Sequence, residues 1–231
     1  MNAQKLSKRL ATVAAFVPQN AVVADIGSDH AYLPCYLVNQ GVVTTAIAGE
    51  VVKGPYDSAC HEVQREQLQQ QITVRLANGL EAIHAEDGVT AITIAGMGGP
   101  LIASILNHYP QGLDGVERLI LQPNIHAIAI REWAIDHDFM IVDEAIIKED
   151  GKIYEILVLE RGQKPLSELE LLLGEKLMAE RNDVFVEKWT HEIAQWHTVL
   201  KNIEKAEQTA AILAKKQQLL TQIEAVEGVL A

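Results

Sequence analysis

Cysteine is nearly absent from the chain. Only Cys35 and Cys60 occur, and neither belongs to a Cys-x-x-Cys pair. That leaves no basis for a disulfide framework, and both thiols are expected to be reduced, as in a cytoplasmic protein. No apolar run reaches the roughly 18 residues a membrane-spanning helix requires, so no membrane association is expected. Met1 to Leu10 is polar and basic and has no apolar centre, which argues against a secretory signal. Positive charge is scarce too. There are 19 Lys and Arg against 31 Asp and Glu, for a formal net charge of −12. Taken alone, that balance argues against sequence-independent nucleic-acid binding, which relies on a basic surface. His30, His126 and the other histidines lack metal-ligand spacing, so no metal is expected.

What charge there is of positive sign is unevenly spread. Lys5, Lys8 and Arg9 lie within residues 1–20, where no carboxylate occurs. Their i, i+3, i+4 spacing would place them on one face of a helix, opposite Leu6, Leu10, Val13 and Val17. An amphipathic surface helix is one reading of this segment. A contact with a polyanion is the sharper one.

From about residue 21 to 160 strand and helix patterns alternate. Strands are expected at Ala21 to Asp25, Thr44 to Gly49, Ile72 to Leu76, Ala91 to Ala95 and Arg118 to Leu121. Helices are expected from His30 to Asn39, from Gly54-Pro55 to about Leu68, from about Pro100, and from Ile125 to Asp136 with Asn124 as its cap. Phe139 to Ile147 and Ile153 to Leu159, joined through Asp150-Gly151, read as a β-hairpin. Repeated strand–helix units mean a parallel sheet covered on both faces, an α/β Rossmann-like domain. Composition changes after Pro165, beyond which proline is absent and glycine appears only at 174 and 228. Val186, Trp189, Ile193, Trp196, Leu200 and Ile203 step by 3, 4, 3, 4 and 3, a heptad seam that Leu213, Leu220, Ile223 and Leu230 extend, with Gln217 as a polar interruption. The expected division is therefore residues 1–163 as the α/β domain and 164–231 as a helical, coiled-coil-like module. Two helices folded back near residues 205–208, or one continuous helix, both fit that pattern.

The segment from Asp25 to Pro34 joins the first strand to the first α/β helix, where open α/β sheets bind nucleotide-like ligands. A dinucleotide site would need Gly-x-Gly-x-x-Gly, and only Gly27 is present. A loop rich in carboxylates and poor in glycine suits S-adenosylmethionine, which has a sulfonium cation and no phosphate. Gly27 would admit close backbone approach; Asp25, Ser28, Asp29 and His30 complete that loop. Glu50 ends the second strand 23 residues after Gly27, where a carboxylate accepts hydrogen bonds from ribose hydroxyls. Asn78 and Gly79 end the third strand, at the expected place of an adenine ring. Ala95, Gly96 and Met97 end the fourth and leave room for donor and acceptor. The Asn/Asp-Pro-Pro-aromatic segment common in enzymes that methylate exocyclic amines is absent here, which points to a different nucleophile, such as a ring nitrogen. An NAD(P)-dependent oxidoreductase, and a non-catalytic coiled-coil interaction protein on a nucleotide-binding fold, are the alternatives.

The stretches KLSKRL (5–10), ADIGSDHAYLP (24–34), AITIAGMGG (91–99), RLILQPNIHA (118–127) and REW (131–133) resemble, in order, the TrmK family of tRNA adenine-22 N1-methyltransferases. The likeness runs over about residues 3–160 and more loosely through the helical tail. It implies a Rossmann-like methyltransferase with a C-terminal helical module, acting with S-adenosylmethionine on N1 of an adenine in tRNA. N1 is unprotonated near neutral pH and gains charge on methylation, so a carboxylate beside the donor is expected to assist. Asp29 is the catalytic candidate. Asn124 and Tyr154 are candidates to contact the base, and Lys5, Lys8 and Arg9 to contact phosphate. A monomer is expected.

Overall fold

A computed structural model describes residues 2–205 and 209–231. The chain divides into two compact units, one ending at Pro165 and the other running from Leu166 to Ala231, against the expected boundary at 163–164.

The first unit is built on a seven-stranded sheet: β1 (Val23–Ile26), β2 (Ala46–Glu50), β3 (Ile72–Leu76), β4 (Ala91–Gly98), β5 (Arg118–Ile125), β6 (Phe139–Glu149) and β7 (Lys152–Arg161). Their spatial order is β3-β2-β1-β4-β5-β7-β6, with β1 to β5 parallel and the β6–β7 hairpin antiparallel. Every residue of β1 and of β2 is buried, as a strand covered on both faces requires. β6 instead alternates, with Phe139, Ile141, Glu144 and Ile146 inward. Helices α1 (Lys8–Ala15), α2 (Tyr32–Asn39), α3 (Lys53–Arg65), α4 (Gly99–His108) and α5 (Ile128–Asp136) complete this unit. The order reverses between β1 and β4, which opens a crevice beyond their carboxyl ends. Behind the sheet edge a buried triad ties α5 to the hairpin: Arg131, with no exposed surface, donates to Glu144 at 2.6 Å and Glu155 at 2.8 Å.

Two strands run further than expected. β4 continues through Gly96 to Gly98 and β5 through Gln122 to Ile125, with irregular register between them. The Asn124 side-chain amide explains part of this, since it donates to the Gly96 carbonyl at 2.7 Å and links the two strand ends. Asn124 is thus a strand residue and not a helix cap. α5 begins only at Ile128, after His126 turns the chain with φ of 57°, and it has no side-chain cap.

The second unit holds α6 (Glu168–Leu173), α7 (Glu175–Glu180), α8 (Asp183–Lys205) and α9 (Ala210–Leu230). Lys216 pairs with Glu204 at 2.9 Å and His197 with Glu227 at 3.8 Å, so α8 and α9 run antiparallel. Thr209 caps α9 by accepting from the Ile212 N–H, which rules out one continuous helix. Of the expected turn at residues 205–208, residues 206–208 lie outside the described residues. The seam is displaced by one residue from the expected one at several points. Trp189, Leu200 and Ile223 are buried as expected, but Phe185 is buried where Val186 was expected, and Leu213 and Leu220 are exposed while Val226 is buried. Gln217 is exposed and interrupts nothing. A heptad pattern leaves neighbouring positions nearly equivalent, and the partner helix selects between them.

Candidate active site at the carboxyl ends of β1 and β4

A cleft of about 270 Å³ opens at the crevice. It is lined by Arg9 and Leu10 of α1, by Asp25, Gly27, Ser28, Asp29 and His30 of the β1–α2 loop, by Tyr32 and Leu33, and by Ala95, Gly96 and Met97 of β4.

The loop is held in a costly backbone shape. Gly27, Asp29 and Ala31 have φ of 71°, 52° and 54°. Two of these are non-glycine residues in the left-handed region, a strain that persists only where surroundings enforce it. Two carboxylates do so. Asp25, buried in β1, accepts hydroxyl hydrogen bonds from Ser28 and Thr93, each at 2.6 Å. Burial raises its carboxyl pKa above the usual range, against the lowering effect of those two hydroxyls. Glu50 accepts from the Asp29 N–H at 3.2 Å through Oε2, and from Val51 and Val52 N–H at 2.8 and 3.1 Å through Oε1. Asp29 itself stands on the rim, its side chain 67% exposed and 3.7 Å from His30. His30 stacks on Tyr32 with ring centroids 5.1 Å apart. At Gly27 a Cβ would come within 2.1 Å of the Met97 methyl, so the small residue lets Met97 fold across the loop.

On the opposite wall β4 and β5 meet in a polar knot. Gln122 has no exposed surface. Its Oε1 accepts from Arg9 Nη1 at 2.5 Å and from the Gly96 N–H at 3.0 Å, while its Nε2 donates to the Pro123 carbonyl at 2.9 Å. The Arg9 guanidinium lies 5.5 Å from the centre of the Tyr154 ring. Beside the knot, a Cβ on Gly99 would fall 2.0 Å from the His126 carbonyl oxygen, so only glycine lets the start of α4 approach the β5–α5 connection so closely.

Apart from Asn124, which donates to the Gly96 carbonyl, and Tyr154, which lies beside Arg9, the expected residues fall into three groups. Asp25, Gly27, Ser28, Asp29, His30, Ala95, Gly96 and Met97 come together around the cleft. Glu50, Asn78 and Gly79 do not line it; they follow along the ends of β2 and β3, joined where the Ala77 N–H donates to the Glu50 carbonyl at 2.9 Å. The basic trio is the third group, and it does not share a helix face. Lys5 precedes the Ser7 cap of α1, Lys8 is exposed, and Arg9 turns inward over the cleft. The cap explains this: an α-helix starting at Lys8 puts Lys5 outside the helical repeat. Sequence reasoning missed Gln122 and Thr93 altogether. Gln122 had a signal in Gln-Pro-Asn at the end of an apolar strand, where a polar residue must find partners. Among the described residues no group of three or more His, Cys, Asp or Glu is placed to hold a metal, and no helix is long and apolar enough to cross a membrane.

Residues 23–228 match the family model TrmK, described as tRNA (adenine(22)-N(1))-methyltransferase. The tRNA (adenine(22)-N(1))-methyltransferase of Bacillus subtilis is 46% identical over 236 aligned residues, covering 100% of this chain and 99% of the relative. A Streptococcus pneumoniae structure solved in complex with S-adenosyl-L-methionine is similar with a TM-score of 0.90 and 48% identity, over 98% of this chain and 100% of that one. Mycoplasma capricolum TrmK in complex with S-adenosyl-homocysteine is similar with a TM-score of 0.85 and 29% identity, over 97% of each chain. With its β1–β4 cleft and strand order beneath a match that spans nearly its whole length, the chain belongs to the TrmK family of tRNA (adenine(22)-N(1))-methyltransferases.

Proposed function

We propose that the cleft performs methyl transfer from S-adenosylmethionine to N1 of adenine 22 in tRNA, with Asp29 at the reacting end. The observation that carries this reading is the β1–β4 cleft itself: carboxylates and a single loop glycine where a pyrophosphate site would need three glycines. The residues fit a cationic, phosphate-free ligand, which supplies a methyl group on sulfur to the adenine N1 lone pair. Asp25, Ser28, His30 and the β4 end hold its amino-acid portion, and Glu50, Asn78 and Gly79 its ribose and adenine. Asp29 stabilises the positive charge that the ring acquires, or takes the proton its exocyclic amine releases. Its exposed position on the rim leaves the carboxylate accessible to an incoming base. The Gly96–Gly99 segment keeps the acceptor side open. N1 lies on the Watson–Crick edge, so the target adenine must leave its stack, and Asn124 and Tyr154 border the place where it would enter.

The tRNA backbone is assigned to Lys5 and Lys8. Lys8 Nζ lies 3.4 Å from the Lys148 carbonyl, so α1 lies beside the hairpin, whose end carries the exposed Lys148 and Lys152. The helical module, residues 166–231, is assigned a grip on the RNA. The protein is read as a cytoplasmic monomer. Methyl incorporation into bulk tRNA, mapped by nuclease digestion and mass spectrometry, tests the assignment. Label confined to N1-methyladenosine at position 22 is expected; label elsewhere, or none, refutes it.

A further inference from the structure

We infer that Ile125, at the tip of β5, is a wedge that enters the RNA stack in place of the extruded adenine and keeps that base from returning. This deepens the reading of the cleft as a site for N1 methylation and rests on it. A base pays to leave its stack, and the vacancy closes again unless an apolar group fills it. Ile125 is 62% exposed, the highest value among the exposed large apolar side chains of the described residues, although Leu119, Ile120 and Leu121 of the same strand are wholly buried. A lone exposed apolar residue is ordinary in itself. Its place is what matters here. Ile125 pairs with Gly98 of β4, and Gly98 follows Met97, which lines the cleft. A Cβ on Gly98 would meet Ile125 Cγ1 at 3.8 Å and Pro100 Cδ at 4.0 Å, so isoleucine and proline share one lip, which the exposed Leu101 continues. Residues 88–113 and 118–131, which form both sides of that lip, contain no Asp or Glu in a chain that has 31. A polyanion can therefore approach the lip without meeting a carboxylate of either segment.

A wedge works only if it does not retreat, and the backbone around Ile125 is fixed from both directions. On one side the Asn124 amide is engaged at both ends. It donates to the Gly96 carbonyl at 2.7 Å and accepts from Gln122 Nε2 at 3.3 Å. On the other side His126 is held at φ of 57°, a left-handed shape that a non-glycine residue keeps only where its surroundings enforce it. The start of α4 supplies that enforcement, since Gly99 lies so close that a Cβ would fall 2.0 Å from the His126 carbonyl oxygen. The side chain itself is β-branched, with few χ1 rotamers to lose on contact. A rigid, uncharged, exposed side chain thus stands beside the cleft, where no folding role accounts for it.

The test uses the full chain with S-adenosylhomocysteine and a tRNA carrying 2-aminopurine in place of the target adenine. The fluorescence of that base rises when it leaves its stack. Wild type should produce the rise. Ile125→Ala should still bind the same tRNA in gel shifts but lose most of the rise, and Ile125→Leu should restore it. On ordinary tRNA, Ile125→Ala should lower kcat/KM by about tenfold to a hundredfold, the effect of withdrawing one aliphatic side chain from an apolar contact. That loss should largely disappear on a tRNA with abasic sites on either side of the adenine, which has no stack to leave. An equal loss on both substrates, or a full rise in Ile125→Ala, overturns the wedge. A full rise accompanied by a changed oligomeric state would overturn it in favour of a contact between copies of the chain. A wild type that methylates without any rise overturns the wedge alone. A wild type that gives the rise without methylating supports the wedge and overturns the transfer reading.

Discussion

Glu50 is the residue whose loss should be most readable, because its carboxylate already has two duties. It keeps 7% of its surface open. A carboxylate offers about four acceptor positions. The N–H groups of Asp29, Val51 and Val52 take three of them. One acceptor then remains for a ribose hydroxyl. A hydrogen bond to a charged group contributes about 1.5–3 kcal/mol. Glu50→Ala should therefore weaken S-adenosylhomocysteine binding by roughly tenfold to 150-fold. The variant also releases the Asp29 amide, so turnover at saturating donor should fall as well. Glu50→Gln should not rescue the loop, because its amide nitrogen would face a backbone N–H at one of the two sites. Calorimetry with S-adenosylhomocysteine and its 2′-deoxy counterpart separates the two duties. Wild type should discriminate between the ligands and Glu50→Ala should not. Unchanged affinity in a folded Glu50→Ala, or undiminished discrimination, refutes the reasoning.

Asp29→Ala should lower turnover by about a hundredfold while leaving thermal stability near wild type, and a normal methylation rate in single-turnover assays would remove its catalytic role. Replacing Lys5 and Lys8 with Ala should reduce the slope of log affinity for tRNA against log salt by roughly 0.7–0.9 per lost contact, and an identical slope in filter binding would return both to an ordinary surface. Asp25 gives a pH dependence. Burial raises its carboxyl pKa in the folded chain, so the native state binds the more protons between the unfolded and folded values. Wild-type stability should fall as pH rises through that window, and the deficit should persist above it. Asp25→Asn removes this titration, and urea midpoints from about pH 4 to about pH 8 should then be flatter and no lower than wild type at the alkaline end. A lower midpoint there would mean that the Ser28 and Thr93 hydroxyls need the charge.

What could be read from the chain followed how local each signal is. β1 and β2 are short apolar runs ending in an acid and a glycine or glutamate, and burial on both faces leaves such runs few alternatives. The β1–α2 loop was readable because its chemistry lies within consecutive residues, Asp25 to His30. The opposite wall was not, because its order comes from residues far apart in sequence. Arg9 and Gln122 are separated by 113 positions, and Asn124 and Gly96 by 28. Nothing in the spacing of Lys5, Lys8 and Arg9 distinguishes a solvated face from a guanidinium drawn inward by a buried glutamine. The cap at Ser7 and the Glu149 carboxylate decide where α1 starts and which of its cations reaches the cleft. The same limit displaced the helical seam, where Phe185 and Val186 compete for one position and only the packed partner selects the aromatic ring. A buried polar side chain at a strand end is the exception that can be sought in advance. Gln122 has to satisfy both an acceptor and a donor away from water, so a distant partner was required by its burial before that partner had a name.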